Sequence, residues 1–172
     1  MKFRPTPFNI ILLFLTLLGV GCQTDRLPKA KDASTLRVFV EARPDAADRT
    51  QPIVVFLDPP LKLNVEKVPI LDESSVTEAK LLEADGKFVI QIKFTTHGAL
   101  VLETTGHAHR GHHLALYSAY PEGRWIGAPL LRQSMAGGEL VFRMAGTRDD
   151  GERFVTGLNK LATAMQKRGQ QY

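Results

Sequence analysis

The sequence holds one cysteine, Cys22, and one tryptophan, Trp125, in 172 residues. With a single thiol, no disulfide can close within the chain, and a lone cysteine in an exported protein needs its own explanation. Long apolar runs are also missing. Ile10–Val20, interrupted by Thr16, falls short of the roughly 18 residues that a membrane-spanning helix requires. No dense basic run exists, which excludes the electrostatic footprint of a nucleic-acid binder. There is no G-x-S-x-G elbow and no Gly-Lys-Ser/Thr phosphate loop. Ser74, Ser75, Ser118 and Ser134 fall in no motif that pairs them with a histidine and an acid. Glu78, Glu83 and Asp85 lie on or beside an expected hairpin, where exposed charge is the ordinary outcome. A non-catalytic protein without a cofactor is expected.

What is present begins with a leader. Met1–Phe8 carries Lys2 and Arg4 and no acid, and it is followed by the apolar stretch and by Gly19-Val20-Gly21. A basic start, a short apolar core and small residues before a cut make a secretory signal peptide, residues 1–21. LLGVGC resembles a bacterial lipobox, in which the cysteine receives lipid. Gly19 departs from it by standing where that motif usually has Leu. The reading assigns Cys22 as the lipidation site and a membrane as a partner through that anchor; ordinary cleavage leaving a free thiol is the alternative. The protein is then expected outside the cytoplasm, on the periplasmic side of a bacterial membrane. Gln23 after the cysteine, rather than Asp, points to the outer membrane. Removing the leader takes Lys2 and Arg4 from the 22 basic groups and none of the 18 acids, so the formal +4 falls to +2. No nucleic acid is expected as a partner.

Residues 22–34, polar and without periodicity after the cysteine, read as a tether. A single domain is expected over 35–168, with a short tail at 169–172. Leu36, Val38 and Val40 alternate as a strand. RPDAADRTQP, residues 43–52, reads as a polar loop, and Ile53–Leu57 as a short strand stopped by Asp58-Pro59-Pro60. Leu61, Leu63 and Val65 alternate again. Ala79–Glu83 and Lys87–Phe94 flank Asp85-Gly86, the strongest hairpin signal in the chain. Thr95–His109 suits a helix leaning on a sheet, with Gly111 placed to end it in a left-handed conformation. Leu114–Ala119 and Leu140–Met144 read as strands. The last helix is capped by Thr147, carries Asp149, Asp150 and Glu152 at its start, and has Phe154, Val155, Leu158, Leu161, Ala162 and Met165 on one stripe. The order predicts an α+β fold: a largely antiparallel sheet with two helices packed on one face.

One ordered series of motifs carries a family resemblance. FTTHGA at 94–99, RGHHLAL at 110–116, GRWIGAPLLRQSMAGG at 123–138 and Gly146-Thr147 before the last helix follow one another without gaps. Pro69, Asp72 and Ala79 echo the lead-in more loosely. The series resembles the head subdomain of the first periplasmic domain of SecD, a membrane protein of the export machinery, over about Leu61 to Arg168. The resemblance implies that fold and contact with exported polypeptide, the Sec machinery or another envelope protein. The multi-helix membrane bundle of SecD has no counterpart among these motifs. Trp125, Pro129, Arg132, Gly137 and Gly138 are the candidate partner-binding residues. Individually they also read as structure: Pro129 lacks an N–H and needs an edge or bulge, Gly137-Gly138 permits a tight reversal, and Trp125 closes a layer under a helix.

HAHRGHH at 107–113 offers the alternative, a His-rich metal-binding envelope lipoprotein using His107, His109, His112 and His113, with zinc as the ion. Zinc needs ligands that converge on one point. His107 and His109 diverge, and His112 and His113 point to opposite faces of a strand start. Only His109 with His112 or His113 has a suitable interval, across Gly111. A solvated junction between helix and strand is the plainer reading.

Overall fold

The computed structural model describes residues 28–29, 32–84, 86–119, 122–131 and 137–169. Among the described residues nine strands and two helices follow in order: β1 Arg37–Val40, β2 Thr50–Val55, β3 Leu61–Glu66, β4 Leu71–Asp72, β5 Val76–Ala84, β6 Lys87–Phe94, α1 Thr96–Ala108, β7 Leu114–Ser118, β8 Arg124–Gly127, β9 Glu139–Phe142 and α2 Arg148–Gly169. A 3-10 turn, Glu73–Ser75, separates β4 from β5. The class is the expected α+β, and every strand pairing is antiparallel. The strands divide among three sheets, ordered β4-β1-β7-β8, β2-β3 and β5-β6-β9.

Side-chain alternation explains how these sheets stack. Val38, Val40, Leu114, Leu116 and Ile126 face the main core, which they share with Ile90, Ile92, Leu140, Leu102 and Leu158. Phe39 and Ala115, one step out of phase, join Ile53, Val55, Leu63 and Val65 in a second core. The four-stranded sheet is therefore apolar on both faces, with the β2–β3 hairpin covering the face turned away from the main core. α2 lies on β5 and β6, burying Phe154, Leu158, Leu161 and Ala162 as its stripe requires.

The helix ends follow local chemistry. Thr95 caps α1 by accepting the Gly98 N–H at 3.2 Å. Thr147 and Asp150 form a reciprocal cap on α2: the Thr147 hydroxyl accepts the Asp150 N–H at 3.2 Å, and the Asp150 carboxylate accepts the Thr147 N–H at 3.0 Å. Gly111 has φ +85°, the left-handed residue expected after α1, and stands in the His109–His112 turn just past the cap residue His109. α1 buries Gly98, Thr105 and Gly106 beside Leu102, so small residues bring it close to the sheet.

Three boundaries differ from the reading of the sequence. β2 begins at Thr50 inside the expected loop, because Pro52 sits in a strand of a two-stranded sheet, where its missing donor is tolerated. β4 and the 3-10 turn are too short to show periodicity. The expected tether is already part of the fold at Ala33 and Ser34, which are buried. Gly157 of α2 makes room for them: a Cβ there would lie 2.7 Å from the Ser34 backbone nitrogen.

Candidate functional site

The stretch from Trp125 to Gly138 does two separate things. Trp125 stands on the second-core face of β8, half-buried. Its ring meets Phe39 edge-on at 5.3 Å and Tyr117, its cross-strand partner, at 5.2 Å. The expectation that it closes a layer under a helix is corrected: a β-hairpin covers it, because Trp125 is in phase with Tyr117 and not with Ile126. Two described residues of the rest of the stretch meet the two ends of α1. Beyond the helix, the Leu131 carbonyl accepts the Gly111 N–H at 2.8 Å, and at the first turn Gly138 lies against Ala99.

Pro129 occupies the edge position its chemistry demands. Its carbonyl accepts the Leu114 N–H at 2.9 Å, and Leu130 bridges to His113, so residues 129–131 prolong β8 beside the start of β7. Gly137 and Gly138 have φ +100° and +66° and turn the chain into β9, as expected of the pair. Gly138 is buried, since a Cβ there would come 2.5 Å from that of Ala99; Gly137 has open space. Arg132 and Cys22 lie outside the described residues, as do Asp85 and Ser134. Gly138 therefore lies against α1, Pro129 lies beside the start of β7, and Trp125 belongs to the second-core face of the sheet.

The outward side of α1 presents Leu100, 61% exposed, and Leu130 beside Pro129 is 37% exposed. Nothing in the sequence signals that Leu100, rather than Trp125, is the exposed apolar group. That depends on which turn of α1 meets Gly138.

The histidines separate by role. His113 is held by Glu41, whose carboxylate accepts the His113 backbone N–H at 2.6 Å and lies 2.8 Å from the ring Nδ1. The Glu41 N–H in turn donates to the His113 carbonyl at 2.9 Å. Burial raises the Glu41 carboxyl, but the His113 hydrogen bonds and the charges of His113 and His112 hold it below its ordinary value. The His109 and His112 rings lie 5.7 Å apart between centroids, tilted by 49°. Exposed His107 lies two residues before His109 and apart from that pair. Among the described residues no three His, Cys, Asp or Glu side chains converge on a point that could hold a metal ion. The acids singled out in the sequence are in ion pairs: Glu78 with Lys80 at 2.9 Å, and Glu83 with Arg148 at 3.7 Å.

The edge of β5 has a side-chain guard. Asn159 of α2 accepts the Ala79 N–H at 2.7 Å and donates to the Ala79 carbonyl at 2.9 Å, standing in for a neighbouring strand. Gln166 donates to the Val76 carbonyl at 2.9 Å. Paired edges are protected from adding foreign strands.

No family model matches the chain, and no curated protein matches it. Solved structures do. The membrane component SecDF that enhances protein export aligns over 93% of this chain and 72% of its own, with a TM-score of 0.56 at 16% identity. The fold is SecD-like. SecDF in its super-membrane-facing form aligns over 89% of this chain and 32% of its own, with a TM-score of 0.48 at 15% identity. SecDF from Thermus thermophilus, a translocon-associated membrane protein, aligns over 90% and 33%, with a TM-score of 0.43 at 13% identity. Among the described residues of the SecD-like chain, no helix is long and apolar enough to cross a membrane.

Proposed function

We propose that this chain is a non-catalytic, lipid-anchored protein of the cell envelope whose SecD-like domain binds exported polypeptide or an envelope protein partner. The observation that carries the reading is the SecD-like fold over 93% of the chain, shared with a SecDF described as enhancing protein export. The lipobox-like LLGVGC ahead of the tether supports the location and the anchor. Two exposed apolar groups are assigned to the partner: Leu100 on α1, next to the Ala99 that meets Gly138, and Leu130 within the motif stretch. The metal-binding alternative receives no support from the arrangement of the histidines.

Photocrosslinking in living cells tests this reading. A photoreactive residue replaces Leu100 or Leu130, whose exposure leaves the core untouched, and Phe56 on the β2–β3 tip serves as the comparison position. Capture of polypeptides in transit, or of one envelope protein, at Leu100 and Leu130 and not at Phe56 is the expected result. Folded, exported protein that captures nothing at either position defeats the proposal.

A further inference from the structure

Beyond its first turns, α2 carries charge of one sign. Asp149, Asp150 and Glu152 occupy its start, but from Arg153 to Arg168 the helix contains Arg153, Lys160, Lys167 and Arg168 and no acid. Arg153, Lys160 and Lys167 are spaced by seven residues, which returns nearly to the same side of a helix after two turns. All three are exposed, with Thr156 and Thr163 between them on that side. At a rise of 1.5 Å per residue the row extends about 21 Å. Among the described residues none of the three forms an ion pair, whereas Glu152 at the acidic end is held by Arg148 at 3.3 Å.

The N-terminal segment leaves the fold along the same side. Asp32, Ala33 and Ser34 share a shallow groove of ≈ 410 Å³ with Glu152, Arg153, Thr156 and Lys160. Ser34 is fixed there by the space above Gly157, and the Thr35 hydroxyl beyond it accepts the Ala119 N–H at 2.8 Å. The chain that precedes the groove adds Arg26, Lys29 and Lys31 against Asp25. Residues 23–31, even fully extended, reach only about 30 Å.

We propose that the basic row Arg153–Lys160–Lys167 on α2 is a docking surface for anionic phospholipid headgroups, and that it lays the domain on the membrane along α2. Charge complementarity and the exit of the tether on this side select the lipid surface as its occupant. This inference rests on the lipid-anchor reading for its setting but not for its chemistry. A basic residue near an anionic leaflet contributes about 1 kcal/mol, so three on one side fix an orientation for a chain already held close by an acyl anchor. The side of the domain bearing the row then faces the bilayer.

The test uses the processed chain, residues 22–172 with Cys22→Ser, so that no acyl group contributes. Co-sedimentation is measured with phosphatidylethanolamine–phosphatidylglycerol vesicles and with phosphatidylcholine vesicles over a salt series. Binding to the first alone, falling as salt rises, is expected. K160A and K167A should each weaken it about fivefold, the fold-change that corresponds to one basic contact. K62A, on the β2–β3 hairpin, should leave it unchanged. Absence of binding to anionic vesicles at low salt overturns the proposal. So does binding that survives R153A/K160A/K167A and disappears with R26A/K29A/K31A, which would assign it to the tether. The intact mass of the protein purified from envelopes reports separately on acylation, so failure of the anchor reading is distinct from failure of the row.

Discussion

Asn159→Leu removes both hydrogen bonds to Ala79 while keeping a side chain of similar volume on α2. Each bond contributes about 1 kcal/mol net, and Ala79 is buried, so its freed N–H and carbonyl add a desolvation cost. Leucine is the better helix former and returns about 0.5 kcal/mol. The expected loss is about 2 kcal/mol, or about 4–8 °C in Tm for a domain of this size. Urea denaturation followed by circular dichroism measures it, and an unchanged m-value would place the effect in stability rather than in compactness. Asn159→Asp separates the two bonds: its carboxylate still accepts the Ala79 N–H but opposes the Ala79 carbonyl, so its deficit should shrink in acid as it regains a proton to donate. The bared edge of β5 should also make N159L more prone to aggregate when concentrated. An N159L variant within about 0.5 kcal/mol of the parent would refute the edge-guard argument.

Other substitutions read other contacts. Gly138→Ala must fit a Cβ against Ala99 at positive φ and should cost clearly more than Gly137→Ala, which meets only the backbone preference of about 1 kcal/mol; equal losses in thermal melts would refute the close approach of Gly138 to α1. Gly157→Ala gains helix propensity but crowds the Ser34 backbone, so a net loss of about 1–2 kcal/mol is expected, with faster amide exchange at Thr35 and Leu36. Glu41 has a depressed carboxyl, so the stability it contributes is full above its ordinary value near 4.5 and is lost as pH falls through the lower folded value. The gap between the parent and Glu41→Gln should therefore close on acidification, and a gap that is constant with pH would exclude the His113 clasp as its origin. Trp125→Ala empties the space between Phe39 and Tyr117 and should cost about 3 kcal/mol, whereas Trp125→Phe should recover most of it.

The fold was readable where one side-chain period dominates. The α2 stripe, the β5–β6 hairpin and the Gly111 stop each combine a repeat with a chain-ending residue, and all three are found as read. Pro52 hid the start of β2 because proline argues against a strand unless the strand is known to lie at an edge, and edges are tertiary facts. Trp125 was read as core, but the element above it could not be told from its own neighbours. The phase of β8 against β7 decides that, through a register shift between Leu116 and Tyr117. The partner-binding set comes from one continuous stretch, but among its described members Trp125 joins the second core while Gly138 lies against α1. The basic row on α2 follows from the same helical period as the stripe, but the exit of the N-terminal segment beside it depends on the approach of Ser34 to Gly157, which only the fold brings together.

That exit also determines how the domain meets a pull. Ser34 leads within three residues into β1, an interior strand held by β4 on one side and β7 on the other. The Leu36 N–H donates to the buried Glu73 carboxylate at 3.2 Å, and Arg37 pairs with the same group at 2.8 Å. Tension applied to the N-terminal segment must slide β1 lengthwise past both neighbours, so the ladder hydrogen bonds share the load and do not open one by one. The first element to yield under force should be the Ser34 seat on α2, leaving the sheet intact as a mechanical stop behind it.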